Sequence, residues 1–116
     1  MNKYIILGRT SSEYSSAMLS TPQDRRKVVE SFAESLGIEI REFLYTSGDE
    51  TNFFSVGMAE SDERIEALRI IVYATGNFTN LSWSRAFEAD EYKDICELGQ
   101  KKMETYVTAM QVAGMK

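Results

Sequence analysis

Gly37-Ile38-Glu39-Ile40-Arg41-Glu42-Phe43-Leu44-Tyr45-Thr46-Ser47-Gly48-Asp49-Glu50-Thr51-Asn52-Phe53-Phe54-Ser55-Val56-Gly57-Met58-Ala59 is the stretch on which the fold turns. Residues 38–46 read as a strand, with Ile38, Ile40 and Leu44 on one parity and Glu39, Arg41, Phe43 and Tyr45 on the other. Residues 52–59 read as a second, with Phe54, Val56 and Met58 on one face and Phe53, Ser55 and Gly57 on the other. Between them Ser47-Gly48-Asp49-Glu50-Thr51 has turn composition, so the stretch predicts a β-hairpin.

A helical pattern lies on each side of the hairpin. Upstream, Thr21 is expected to cap, Pro22 suits the first helical position, and Asp24 favours the positive helix end. Val28, Val29, Phe32, Ala33 and Leu36 make one apolar stripe, and Gly37 ends it. Downstream, Ser61 precedes Asp62 and Glu63, Ile65, Leu68 and Val72 repeat at helical spacing, and Gly76-Asn77 stops the run. Arg69-Ile70-Ile71-Val72-Tyr73 has strand-like propensity, but the caps favour a helix.

Further out, residues 3–9 predict a strand, with Tyr4-Ile5-Ile6-Leu7 apolar on both parities and so expected to be buried on both faces. Residues 78–87 predict another, with Leu81, Trp83 and Arg85 on one parity and Asn80, Ser82 and Ser84 on the other. The Ser-rich residues 10–20 read as a connection with one helical turn near Ala17–Leu19. Residues 88–111 predict a C-terminal helix with a stripe of Tyr92, Ile95, Cys96, Met103, Tyr106, Val107 and Met110, interrupted at Gly99. The order strand, helix, strand, strand, helix, strand is the split βαβ pattern. The expected fold is therefore α+β: a ferredoxin-like βαββαβ sandwich with an added C-terminal helix, in one domain over residues 1–116.

Two helices cover one face of a four-stranded sheet, yet the strands are apolar on both. The second face predicts a homodimer through the sheet faces. The alternative is a monomer whose C-terminal helix covers that face.

Composition excludes several chemistries. The chain has no His, which removes the commonest metal ligand and any Ser-His or Cys-His pair, so no metal and no cofactor is expected. The single Cys96 cannot close an intrachain disulfide and reads as a reduced, buried small hydrophobe, which fits a cytoplasmic protein. With 13 Lys+Arg against 18 Asp+Glu the net charge is -5, which argues against nucleic-acid binding. Arg25-Arg26-Lys27 reads as a solvated helix edge. No apolar run approaches the roughly 20 residues of a membrane span, and the N-terminal residues do not read as a secretory signal.

The chain resembles the GYD-domain family of the dimeric α/β-barrel superfamily. The anchors are Lys3-Tyr4-Ile5-Ile6-Leu7-Gly8, Asp24-Arg25-Arg26, Ala33-Glu34-Ser35-Leu36-Gly37 and Tyr45-Thr46-Ser47-Gly48. Ala59 with Asp62-Glu63, Gly76-Asn77 and Arg85-Ala86-Phe87 continue the series, which spans roughly residues 3–98. The name-giving Gly-Tyr-Asp signature is absent: Gly48 is followed by Asp49-Glu50-Thr51-Asn52. Glu60 or Ser61 stands where Pro is usual, and Glu88-Ala89 replaces Thr-Pro. The resemblance implies a ferredoxin-like protomer, a dimeric α/β barrel and no settled activity. Relatives in the wider superfamily include cofactor-independent monooxygenases, isomerases, cyclases and haem enzymes; the lack of His disfavours haem.

Candidate ligand-binding residues are Tyr4, Tyr45, Asn80, Trp83 and Arg85. Trp83 and Arg85 share a strand face and fit an aromatic floor with a cation for an anionic group; the competing reading is a core Trp with a surface-paired Arg. Tyr4 and Tyr45 offer phenol protons, or serve only structure. Asn80, Ser82 and Ser84 make a polar stripe suited to a wet cavity or to a hydrogen-bonded dimer surface. Three functions fit: binding of a small apolar or anionic molecule, a cofactor-independent isomerase, cyclase or monooxygenase, or a structural or regulatory dimer without a ligand. The first two require a cavity.

Overall fold

A computed structural model describes residues 1–115. Its first compact unit, Met1–Ala86, contains β1 (Asn2–Thr10), α1 (Ser12–Ser20), α2 (Arg25–Ser35), β2 (Glu39–Tyr45), β3 (Phe53–Ala59), α3 (Asp62–Ala74) and β4 (Phe78–Ala86). The sheet runs β2-β3-β1-β4, with every neighbouring pair antiparallel. This is the ferredoxin-like α+β fold. A second unit begins at Phe87 and holds α4 (Ala89–Gln100), a 3-10 turn (Met103–Thr105) and α5 (Ala109–Val112). Among the described residues no helix is long and apolar enough to cross a membrane.

One face of the sheet carries the core. Tyr4, Ile38, Ile40 and Ala59 are buried with Ala33 of α2 and with Ile65 and Leu68 of α3. Ile6, Phe53 and Leu81 form an adjoining cluster. Strict alternation along β1 and β3 puts Tyr4, Ile6, Gly8, Phe53, Ser55 and Gly57 on this face. Ile5 and Leu7, expected to be as buried as their neighbours, point the other way and are only half-buried, as are Phe54, Val56 and Met58.

Two bulges change the parity read from sequence. In β2 the register shifts between Ile40 and Glu42, so Ile40 pairs with Gly57 while Phe43 pairs with Ser55. The extra residue flips the strand. Ile38, Ile40, Phe43 and Tyr45 therefore share the helix-covered face, and Leu44 turns to the opposite one with Phe54 as its partner. The Ser55 hydroxyl donates to Glu42 O (2.7 Å), fixing the bulged backbone from within. In β4 the register shifts beside Thr10, which pairs with Phe78 while Arg9 pairs with Asn80. Phe78 thereby joins the face of Leu81 and Trp83.

Residues 12–20 form a full helix, where the sequence predicted one turn. Ser11 caps it: its Oγ accepts the Tyr14 N–H (3.2 Å), and its own N–H donates to Asn77 O (2.8 Å). None of the residues of α1 is fully buried. Asp24, rather than Thr21, caps α2, its carboxylate accepting from Arg26 N (3.1 Å). A carboxylate at that position satisfies an orphan N–H and complements the helix dipole.

The hairpin loop is tied to the end of β1. The Asn52 N–H donates to Gly8 O (2.9 Å), its side-chain oxygen accepts from Thr10 N (2.9 Å), and Arg9 Nη1 donates to Gly48 O (2.8 Å). Gly8 is required by close packing: a Cβ there would lie 2.9 Å from Asn80 O, Leu81 Cδ1 and Phe78 Cδ1. Gly37 leaves α2 with φ +73°, the left-handed conformation that glycine adopts without strain.

The expected helix over residues 88–111 is broken. A reciprocal Glu88–Glu91 capping box starts α4, which ends at Gln100; Thr108 and Gln111 form another box that starts α5. The second capping box competes with continuation of the first helix. Cys96 lies exposed on α4, not buried.

Candidate functional site

The topology gathers one set of termini at a single end of the first unit. β1 and β2 finish there, β3 and β4 begin there, α2 starts there and α3 ends there. Starting at that end, a cleft of about 220 Å³ runs between α2, α3 and the sheet face they cover. Ile6, Phe43, Phe53, Leu81 and Trp83 make its floor. Val28, Val29 and Phe32 of α2 and Leu68, Ile71 and Val72 of α3 make its walls. Val28 and Ile71 are about half exposed, so the cleft opens between the helices.

Aromatic rings run along the floor. Phe43 meets Phe53 edge-on at 4.9 Å, Phe53 meets Phe78 at 5.3 Å, and Tyr14 stacks on Phe78 at 6.2 Å. Such contacts hold rings by their quadrupoles in addition to the area they bury.

The polar groups concentrate at the end where the termini meet. Tyr14 of α1 and Tyr45 of β2 share a hydrogen bond of 2.5 Å between their hydroxyls. Arg25, the first residue of α2, lines the same end, as do Thr75 and Asn77. Burial and the bond to Tyr14 push the Tyr45 phenol well above its ordinary pKa; the Arg25 charge opposes this only in part. Tyr45 is thus a protonated hydrogen-bonding group throughout the neutral range. Outside the cleft, Glu66 accepts from Trp83 Nε1 (2.9 Å) and from Arg69 Nε and Nη2 (2.6 and 2.8 Å), two residues that do line it. The Arg69 bonds, then the Trp83 bond, hold the Glu66 carboxyl down to about 2.

The structure brings Tyr45 and Trp83 into the cleft and distributes the other three predicted residues elsewhere. Tyr4 is fully buried at the opposite end of the sheet, where its hydroxyl donates to Asp62 Oδ1 (2.5 Å) and its ring meets Trp83 edge-on at 5.5 Å. Burial, then the Asp62 bond, raises its pKa. Arg85 pairs in register with Tyr4, at that same end. Asn80 pairs with Arg9 and belongs to the opposite sheet face, with Ser82 and Ser84.

Sequence reasoning missed Tyr14, Arg25, Phe43, Phe53 and Phe78. Ser11 three residues before Tyr14 was the available signal for the first of these. Arg25 read as a solvated edge because charge pattern alone does not show that α2 begins beside a cleft. Among the described residues no group of three or more potential ligating side chains is placed to hold a metal ion.

A family model described as the GYD domain matches residues 4–96. No curated protein matches the chain in a sequence search.

Proposed function

The chain belongs to the GYD-domain family, and from the cleft of this member we propose that it binds a small molecule with a compact apolar body. The observation that carries this reading is the aromatic floor of Phe43, Phe53 and Phe78, continuous with an end where Tyr14, Tyr45 and Arg25 supply the polar groups. A mostly apolar concavity with a few convergent polar groups is the usual form of a small-molecule site. At interior packing density, 220 Å³ holds on the order of ten non-hydrogen atoms.

Binding is favoured over acid–base catalysis. No carboxylate lines the cleft, and the perturbed phenol there, Tyr45, is moved away from neutrality. A phenol that holds its proton more tightly than usual is a poor proton shuttle and a good fixed donor.

A second copy is proposed for the other sheet face. Ile5, Leu7, Phe54, Val56 and Met58 lie together there, flanked by Asn80, Ser82 and Ser84. This arrangement supports a sheet-to-sheet homodimer of the dimeric α/β-barrel kind.

Calorimetric titration with 2-naphthalenemethanol, a neutral bicyclic probe, tests the cleft. Saturable binding at one site per chain is expected. Val72→Trp, which fills the cleft, should abolish it, while Ser84→Ala on the opposite face should leave it unchanged. Unaltered binding by the Val72 variant, or no binding to the parent protein, would overturn the reading.

A further inference from the structure

We propose that the ligand of this cleft is an acid, whose apolar body lies among the rings and whose carboxylate meets Arg25 and the Tyr14–Tyr45 hydroxyl pair. The inference rests on the cleft being a binding site and adds the chemical class of what it takes.

Donors outnumber acceptors at the polar end of the cleft. Two phenols carry two protons between them. One is used in the bond joining Tyr14 to Tyr45, so the pair keeps one O–H to offer. Thr75 is already committed: its hydroxyl donates to Val72 O (2.5 Å) and accepts from Asn77 N (3.3 Å). The Asn77 main-chain carbonyl accepts from Ser11 N, while its side-chain amide brings one carbonyl acceptor and two N–H donors. Arg25 brings a guanidinium with five N–H donors; one of them goes to Gln23 Oε1 (3.1 Å). The end of the cleft therefore has donors in excess and a formal positive charge.

No Asp or Glu lines the cleft itself; Asp24, an acid whose charge also reaches Tyr45, has an oxygen engaged by Arg26 N as the cap of α2. A guanidinium beside an apolar, partly enclosed surface is a strong partner for a carboxylate, because charge-assisted bonds there are not diluted by water. A neutral alcohol would satisfy the phenol proton but not the cation. An ammonium would be repelled by it. The apolar floor selects against small hydrophilic anions, which have nothing to bury on Phe43, Phe53 and Phe78.

Two probes of the same shape separate this claim from the one beneath it: naphthalene-2-carboxylate and 2-naphthalenemethanol, each titrated calorimetrically at neutral pH. The acid is expected to bind about tenfold more tightly than the alcohol, or better. In Arg25→Gln the acid's advantage over the alcohol should shrink to within about twofold. Lys27→Gln, which removes an exposed charge from the same helix, should keep the preference. Equal binding of acid and alcohol by the parent protein, or a preference that survives in Arg25→Gln, would overturn the inference and leave the cleft reading standing. Failure of both probes to bind would remove the cleft reading and this inference together. Thermal unfolding of the Arg25 variant, expected to match the parent, shows that a lost preference is not lost structure.

Discussion

Tyr4 shows how one residue can be anticipated for one role and placed in another. Its strand position and its phenol made it a candidate site residue, yet its hydroxyl closes on Asp62 at the start of α3. It ties the first strand to the second sheet-covering helix. Tyr4→Phe should cost about 1 kcal/mol, the net worth of such a bond when the partner left behind stays in contact with water. Urea unfolding measures it, and ligand binding in the cleft should not change. Both Tyr4 and Tyr45 have pKa values raised in the folded state. Above pH 10 the unfolded chain loses these protons first, so stability should decline as pH rises beyond that point. Glu66 acts at the other extreme. Its carboxyl is lowered from 4.5 to about 2. The stability it contributes is complete above 4.5 and should be lost as pH falls from there towards 2. Glu66→Gln should flatten that part of the stability profile measured by thermal unfolding.

At the scale of elements, most of the order was legible. The hairpin, the helices on either side of it and the outer strands follow from the hydrophobic period, because burial on one face imposes it. Bulges were not legible. At Arg41 the alternation breaks, and with it the parity that would have set Ile40 and Phe43 on opposite faces. A bulge leaves no compositional mark in this strand; it is fixed by pairing with β3 and by the Ser55 hydroxyl inside it. The first helix was hidden by its composition. Ser and Glu dominate residues 11–16, and none of its residues is fully buried, so no apolar stripe announces it. What holds it is the local Ser11 cap together with the tertiary contacts of Tyr14, its bond to Tyr45 and its stack on Phe78. Ser11→Ala should therefore lower stability by about 1 kcal/mol. Hydrogen exchange should show faster exchange in residues 12–20 first, with the core strands little affected. One phenol of the cleft's hydrogen-bonded pair was out of reach for the same reason, since Tyr14 belongs to that helix.

For the whole molecule, the two faces of the sheet have different tasks. The helix-covered face keeps a cleft; the other presents Ile5, Leu7, Phe54, Val56 and Met58. The proposed dimer follows from that second face. Sedimentation should give twice 13.2 kDa. Val56→Lys, which places a charge at the middle of β3, should shift the mass towards one chain while the secondary structure persists. A parent protein that sediments as a single chain at all concentrations would remove the sheet-face dimer. It would leave the cleft intact, because every residue lining the cleft belongs to one chain.

Entry of small molecules between the helices and the sheet is best followed by methyl NMR. With Ile, Leu and Val methyl groups labelled, 2-naphthalenemethanol should shift Val28, Val29, Leu68, Val72 and Leu81 together, saturating at one equivalent per chain. Ile5, Leu7 and Val56, on the opposite sheet face, should stay in place. Shifts confined to Ile5, Leu7 and Val56, or spread without saturation over both faces, would contradict the account.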